Sequence, residues 1–100
     1  MIERLTKYFT THQVAKISSL VNGMNQFSEF TNFTGYGIIE NNVATNSKGQ
    51  NVMSTTKIFT FDLIKEQEKV KLIGEPARVV LAVKKAGTIL AGKTCYEVYI

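Results

Sequence analysis

The sequence predicts an α+β fold: one N-terminal helix, about residues 12–22, packed on an antiparallel sheet or small open barrel of about five strands. Three observations carry this. Val14, Ile17, Leu20, Val21 and Met24 recur at intervals of three and four, the stripe of an amphipathic helix. Two later stretches, 52–64 and 77–100, alternate apolar and polar residues with a period of two, as half-buried strands do. Alternation with one polar face favours antiparallel pairing over a parallel sheet.

Taken in order, residues 1–9 place Ile2, Leu5 and Phe9 at helical spacing, with Tyr8 beside them, and read as a short helix or an N-terminal strand. Thr10 followed by Gln13 has the spacing of a capping box for the helix that begins at His12. Asn22-Gly23 supplies a left-handed stop at its end. In residues 25–36, Phe27, Phe30, Phe33 and Tyr36 recur every third position, which fits a short helix or 3₁₀ turn that closes the core. The alternative role for these rings is to stand outward as stacking platforms for bases.

The β region, 36–100, follows the mostly helical segment 1–34 in a single domain. A strand is expected at 36–43, then a polar loop over 41–51 centred on Ser47-Lys48-Gly49, the tip of a long hairpin. In 52–64, Met53, Lys57, Phe59, Phe61 and Leu63 share one parity. Lys65 to Lys69 carries charges of both signs and reads as a solvated turn. A short strand, 70–73, and the turn Gly74-Glu75-Pro76 lead to a C-terminal hairpin. Its strands are 77–84 and 88–100, its turn Lys84-Lys85-Ala86-Gly87, and Gly92 marks a bulge.

Two topologies accommodate these elements. One is an OB-like open barrel, with a groove that binds single strands across its face. The other is a meander packed on the helix, as in cystatin-like folds. Gly37-Ile38-Ile39, Ser47-Lys48-Gly49-Gln50 and Phe59-Thr60-Phe61 faintly resemble the first hairpin of single-stranded-DNA-binding proteins. That likeness is generic to β-hairpins and identifies no family.

Composition narrows the chemistry. The chain has 44% hydrophobic and 20% charged residues, the balance of a folded domain. One cysteine, Cys95, allows no internal disulfide and reads as a small buried residue of a reducing compartment. The alternating charges of the first residues are unlike a secretory leader, and no apolar run spans a membrane, so the expected compartment is the cytoplasm of a cell or an infected host. Usage rich in Asn, Thr and Lys is that of an AT-rich genome, such as a mobile element's. One His and one Cys make no zinc site, and the scattered carboxylates form no acid–base pair. No nucleophile elbow and no phosphate-binding glycine motif occurs. No enzyme activity, metal or cofactor is therefore expected.

The net charge of +4 lies entirely in residues 41–100, because residues 1–40 are balanced. A positive field there attracts polyanions. The first functional expectation is single-stranded DNA or RNA binding on a lysine-lined, aromatic-bearing sheet face. Lys48, Lys57, Arg78, Lys84, Lys85 and Lys93 are its phosphate contacts, and Tyr36 and Tyr99 its stacking rings. The second is a protein-interaction module, an inhibitor or assembly subunit, that uses the C-terminal sheet edge and the aromatic segment Phe27–Tyr36. A free sheet edge also offers a homodimer contact.

Overall fold

The computed structural model describes residues 8–89 and 93–100, with side chains outside 87–93. The described chain is all-β. Its strands are β1 (Thr10–Ala15), β2 (Ile17–Val21), β3 (Met24–Phe27), β4 (Thr31–Thr45), β5 (Asn51–Thr60), β6 (Lys69–Lys71), β7 (Arg78–Val79), β8 (Ala82–Ile89) and β9 (Lys93–Tyr99). Seven form one antiparallel sheet in the order β7-β6-β1-β4-β5-β9-β8, and β2 pairs only with β3.

This order implies closure. β7 and β8 stand at opposite ends of it, yet only Val80 and Leu81 separate them along the chain. Three Cα steps reach about 11 Å, whereas the edges of a flat sheet of this size lie roughly 29 Å apart. The sheet must curl until its ends meet. Hydrogen bonds at the junction show it doing so. Val80 N–H donates to Glu68 O (2.8 Å) and Gln67 N–H to Val80 O (3.0 Å), while Leu81 N–H donates across to Tyr99 O (2.8 Å). The chain therefore changes neighbours at one kink, from the β6 side to the β9 side. Up to the kink the even parity of β7 faces inward, so Val80 is fully buried and Val79 is exposed; beyond it the parity changes, and Val83 on β8 lies opposite the buried Val98.

The interior of this barrel holds Val14, Phe33, Ile58, Ile64, Val70, Leu72, Val80, Val98 and Ile100. On β5 the inward parity is Ser54, Thr56, Ile58 and Thr60, not the Phe59/Phe61 parity. A narrow barrel takes small and β-branched side chains. Phe33 is the one ring among those interior residues, with Tyr96 packed against the cluster; four other rings pack on the outer side, where Phe9 meets Phe61 at 5.6 Å and Tyr8 meets Tyr36 at 5.8 Å. The buried hydroxyls are satisfied: Thr60 Oγ1 donates to Thr34 O at 2.7 Å and Ser54 Oγ to Ile100 O at 2.9 Å. Gly35 is required where β4 crosses β5, since a Cβ there would lie 2.9 Å from Phe59 O.

Several expectations are corrected. The helix over 12–22 does not form, and the α+β class with it. His12 and Val14 instead point into the barrel from β1, and the rest of the apolar stripe belongs to the β2–β3 hairpin. Asn22 (φ 52°) and Gly23 (φ 76°) are both left-handed, the pattern of a type I′ hairpin turn rather than a helix stop. Thr10 does not cap; its Oγ1 lies 2.8 Å from His12 Nε2. The three-residue aromatic series crosses two elements: Phe27 is on β3, Phe30 in the connection, and Phe33 and Tyr36 on opposite faces of β4. In the Lys65–Lys69 turn, Glu68 is buried, accepting from Lys65 N–H at 2.8 Å and pairing with Lys16 at 3.3 Å. Lys84 to Gly87 is strand with a register shift, not a turn. That ladder runs on to Ile89 opposite Lys93, so the turn and the expected Gly92 bulge lie outside the described residues, as do residues 1–7.

Candidate functional site

Cross-strand registers on the outer face of the barrel align Tyr36, Phe59, Glu97 and Lys84 in one row and Ile38, Lys57, Tyr99 and Ala82 in the next. Four of the expected nucleic-acid contacts, Tyr36, Lys57, Lys84 and Tyr99, thus share a face, but three of them are engaged with other side chains. Lys57 lies 3.5 Å from Glu97 and 3.9 Å from Glu40, with its ammonium 5.3 Å from the Phe59 ring centroid. Tyr99 is only 9% exposed and donates its hydroxyl to Glu97 at 3.2 Å. Burial first, and then the Glu97 carboxylate, push that phenol above its ordinary value. Tyr36 packs its ring on Tyr8.

Arg78 is committed elsewhere. Its guanidinium donates to Thr55 Oγ1 (2.7 Å) and Thr56 Oγ1 (2.9 Å) and pairs with Glu75 at 3.3 Å, tying β7 to β5. Lys48, Lys84 and Lys85 are exposed. Lys93 pairs its backbone with Ile89, and its side chain lies outside the described ones. Of the seven expected contacts whose side chains are described, three therefore present an exposed cation.

Sequence reasoning passed over the exposed apolar residues, several of which gather at two places. The first is the β2–β3 arm. The bulge between Ile17 and Ser19 puts Ile17, Leu20 and Phe27 on one face and Val21 and Met24 on the other. Leu20 (68%) and Met24 (69%) are open to solvent, and residues 17–28 contain no charge. The arm is anchored at its base, where Ser28 N–H donates to Lys16 O at 2.8 Å and the Lys69 ammonium sits 4.5 Å over the Phe27 ring.

The second is the barrel mouth at the far end of β1. Here the β1–β6 ladder, which runs from Ala15–Lys69 to Gln13–Lys71, parts beyond Gln13. His12 fills the gap, accepting from Ile73 N–H at Nδ1 (3.3 Å) and bonding Thr10 Oγ1 through Nε2. Beside it opens a cavity of about 260 Å³, lined by Tyr8, Tyr36, Ile39, Leu72 and Ile73. Ile39 (87%) and Ile73 (68%) stand on its rim, and Glu75 is the one carboxylate in its lining. Val43 and Met53 form a further exposed cross-strand pair on the distal part of the β4–β5 hairpin, outside that lining. The signal for the arm was present in the sequence, as Asn-Gly between two short uncharged runs, Ile17–Val21 and Met24–Phe27; the mouth left none, because it arises only on closure.

Cys95 is buried, and burial raises its thiol pKa, which removes thiolate character. Among the described residues no helix is long and apolar enough to cross a membrane. No protein family, curated protein or solved structure matches this chain.

Proposed function

We propose that this chain is a non-enzymatic protein-interaction module, an assembly subunit whose contact element is the β2–β3 arm. One observation supports this above all: an uncharged hairpin projects from the barrel with Leu20 on one face and Met24 on the other, both mostly exposed. A lone two-stranded hairpin is marginally stable in water, and an unburied large apolar side chain forgoes about 1.5–3 kcal/mol of transfer energy. Docking against a partner removes both deficits. The interface expected from the sequence, at Phe27–Tyr36 and the C-terminal edge, shifts to residues 17–27.

A second reading, single-stranded nucleic-acid binding, is favoured by the lysines at one end of the barrel. Lys48 at the β4–β5 tip, Lys84 and Lys85 on β8, and Lys65 in the loop after β5 are exposed, and Ser47, Lys65 and Val83 line one groove there. One capture experiment separates the readings. The tagged chain and its Leu20→Asp variant are compared with and without nuclease, and at low and high salt. An arm-borne contact survives nuclease and salt and is lost in Leu20→Asp. A polyanion contact is insensitive to Leu20 and falls steeply with salt.

A further inference from the structure

We infer that the partner of the arm is a second copy of this chain, whose barrel mouth receives it. The inference rests on the interaction-module reading and names its partner. Arm and mouth occupy opposite ends of the β1–β4 ladder. The arm leaves after Ala15 and returns at Thr31, whereas the mouth lies at Thr10, Tyr36 and Ile39. From Thr31 to Ile39 β4 extends roughly 26 Å, so the arm cannot fold back into the mouth of its own molecule. The molecule measures 43 Å along its longest axis against 29 and 28 Å along the others.

The two surfaces match in chemistry. The arm bears Leu20, Val21 and Met24 and no charge. The mouth offers an apolar rim of Tyr8, Ile39 and Ile73 around a cavity of about 260 Å³, and the one carboxylate in its lining, Glu75, is paired with Arg78 at 3.3 Å. His12, at its floor, is held toward its neutral form by burial and adds no charge. A protein with an exposed plug at one pole and an exposed socket of the same character at the other satisfies both with one partner species, its own copy. Such a contact is heterologous: each molecule gives its arm to one neighbour and its mouth to another, and the series closes into a ring or continues as a filament.

Sedimentation velocity tests this on the full chain, with Leu20→Asp as the arm variant and Ile39→Asp as the mouth variant. Both sites are exposed, so thermal melts of the variants should match the wild type. At about 100 μM, enough to populate a micromolar contact, the wild type should sediment as species larger than a dimer. Each variant alone should be monomeric. An equimolar mixture should give a heterodimer and nothing larger, because one intact arm meets one intact mouth. A monomeric wild type, or variants that fail to complement, overturns the inference. The interaction-module reading still stands after that result if the wild type, but not Leu20→Asp, retains a protein through nuclease treatment. If neither does, that reading falls too.

Discussion

Protonating His12 would remove an acceptor that the fold uses. Its Nδ1 receives Ile73 N–H, so the proton resides on Nε2, toward Thr10. Burial is the main reason its pKa is lowered from 6.5, opposed by a hydrogen bond to the Gly35 carbonyl and by the Glu75 charge. With the folded value below the unfolded one, the unfolded chain takes up the proton first as pH falls. Stability is therefore full above pH 6.5 and declines below it, levelling off under the folded pKa. The melting temperature of the wild type should drop between pH 7 and pH 5. In His12→Gln, whose amide can accept from Ile73 and donate to Thr10 without titrating, the drop should be smaller. Equal drops in the two proteins would show that the ring does not link stability to pH.

At the scale of elements, the arm and the barrel make separate demands on the sequence. Gly23 sits at φ 76° with nothing within 4 Å of a Cβ, so a side chain there meets strain but no clash. Gly23→Ala should cost about 1 kcal/mol through the backbone alone. Because β2 and β3 pair only with each other, that loss should fall on the arm. Arm amides should lose protection in hydrogen exchange while the melting temperature of the barrel stays within a degree or two. A matching fall in the barrel's melting temperature would mean that the two fold as one unit.

The same element shows what was legible beforehand. Strands 52–64 and 88–100 were visible because alternation over many residues admits one period; β5 overlaps the first over 52–60 and β9 the second over 93–99, while 88–89 belong to β8. The stretch 12–24 was not, because short strands joined by a turn can place Val14, Ile17, Leu20, Val21 and Met24 at helical intervals by coincidence. Asn22-Gly23 was the discriminating signal, since two successive left-handed residues specify a hairpin. The site was harder still. Lys57, Arg78 and Tyr99 look like free contacts in one dimension, and only the registers that bring Glu97, Thr55 and Thr56 beside them reveal that they are already used.

For the whole molecule, the kink at Val80–Leu81 converts a sheet into a barrel. β6 has three residues, held by three register pairs to β1 and two to β7. Without closure it would be a frayed edge. Val80 contributes in two ways, through a fully buried side chain and through its N–H to Glu68 O. Two substitutions separate them. Val80→Ala keeps the closing bonds and removes two methyl groups, so it should lower stability by about 2 kcal/mol while unfolding remains a single transition. Val80→Pro removes the donor and leaves a buried carbonyl without it, adding roughly 1–3 kcal/mol. More telling is where the second loss appears. With closure broken, the amides of Val70 and Lys71 should exchange through a local opening that does not require global unfolding, while those of Ile58 and Val98 keep exchanging only with the whole. If Val80→Pro left β6 exchanging in step with β5 and β9, the barrel would be held by side-chain packing alone, and the junction would be only a connection.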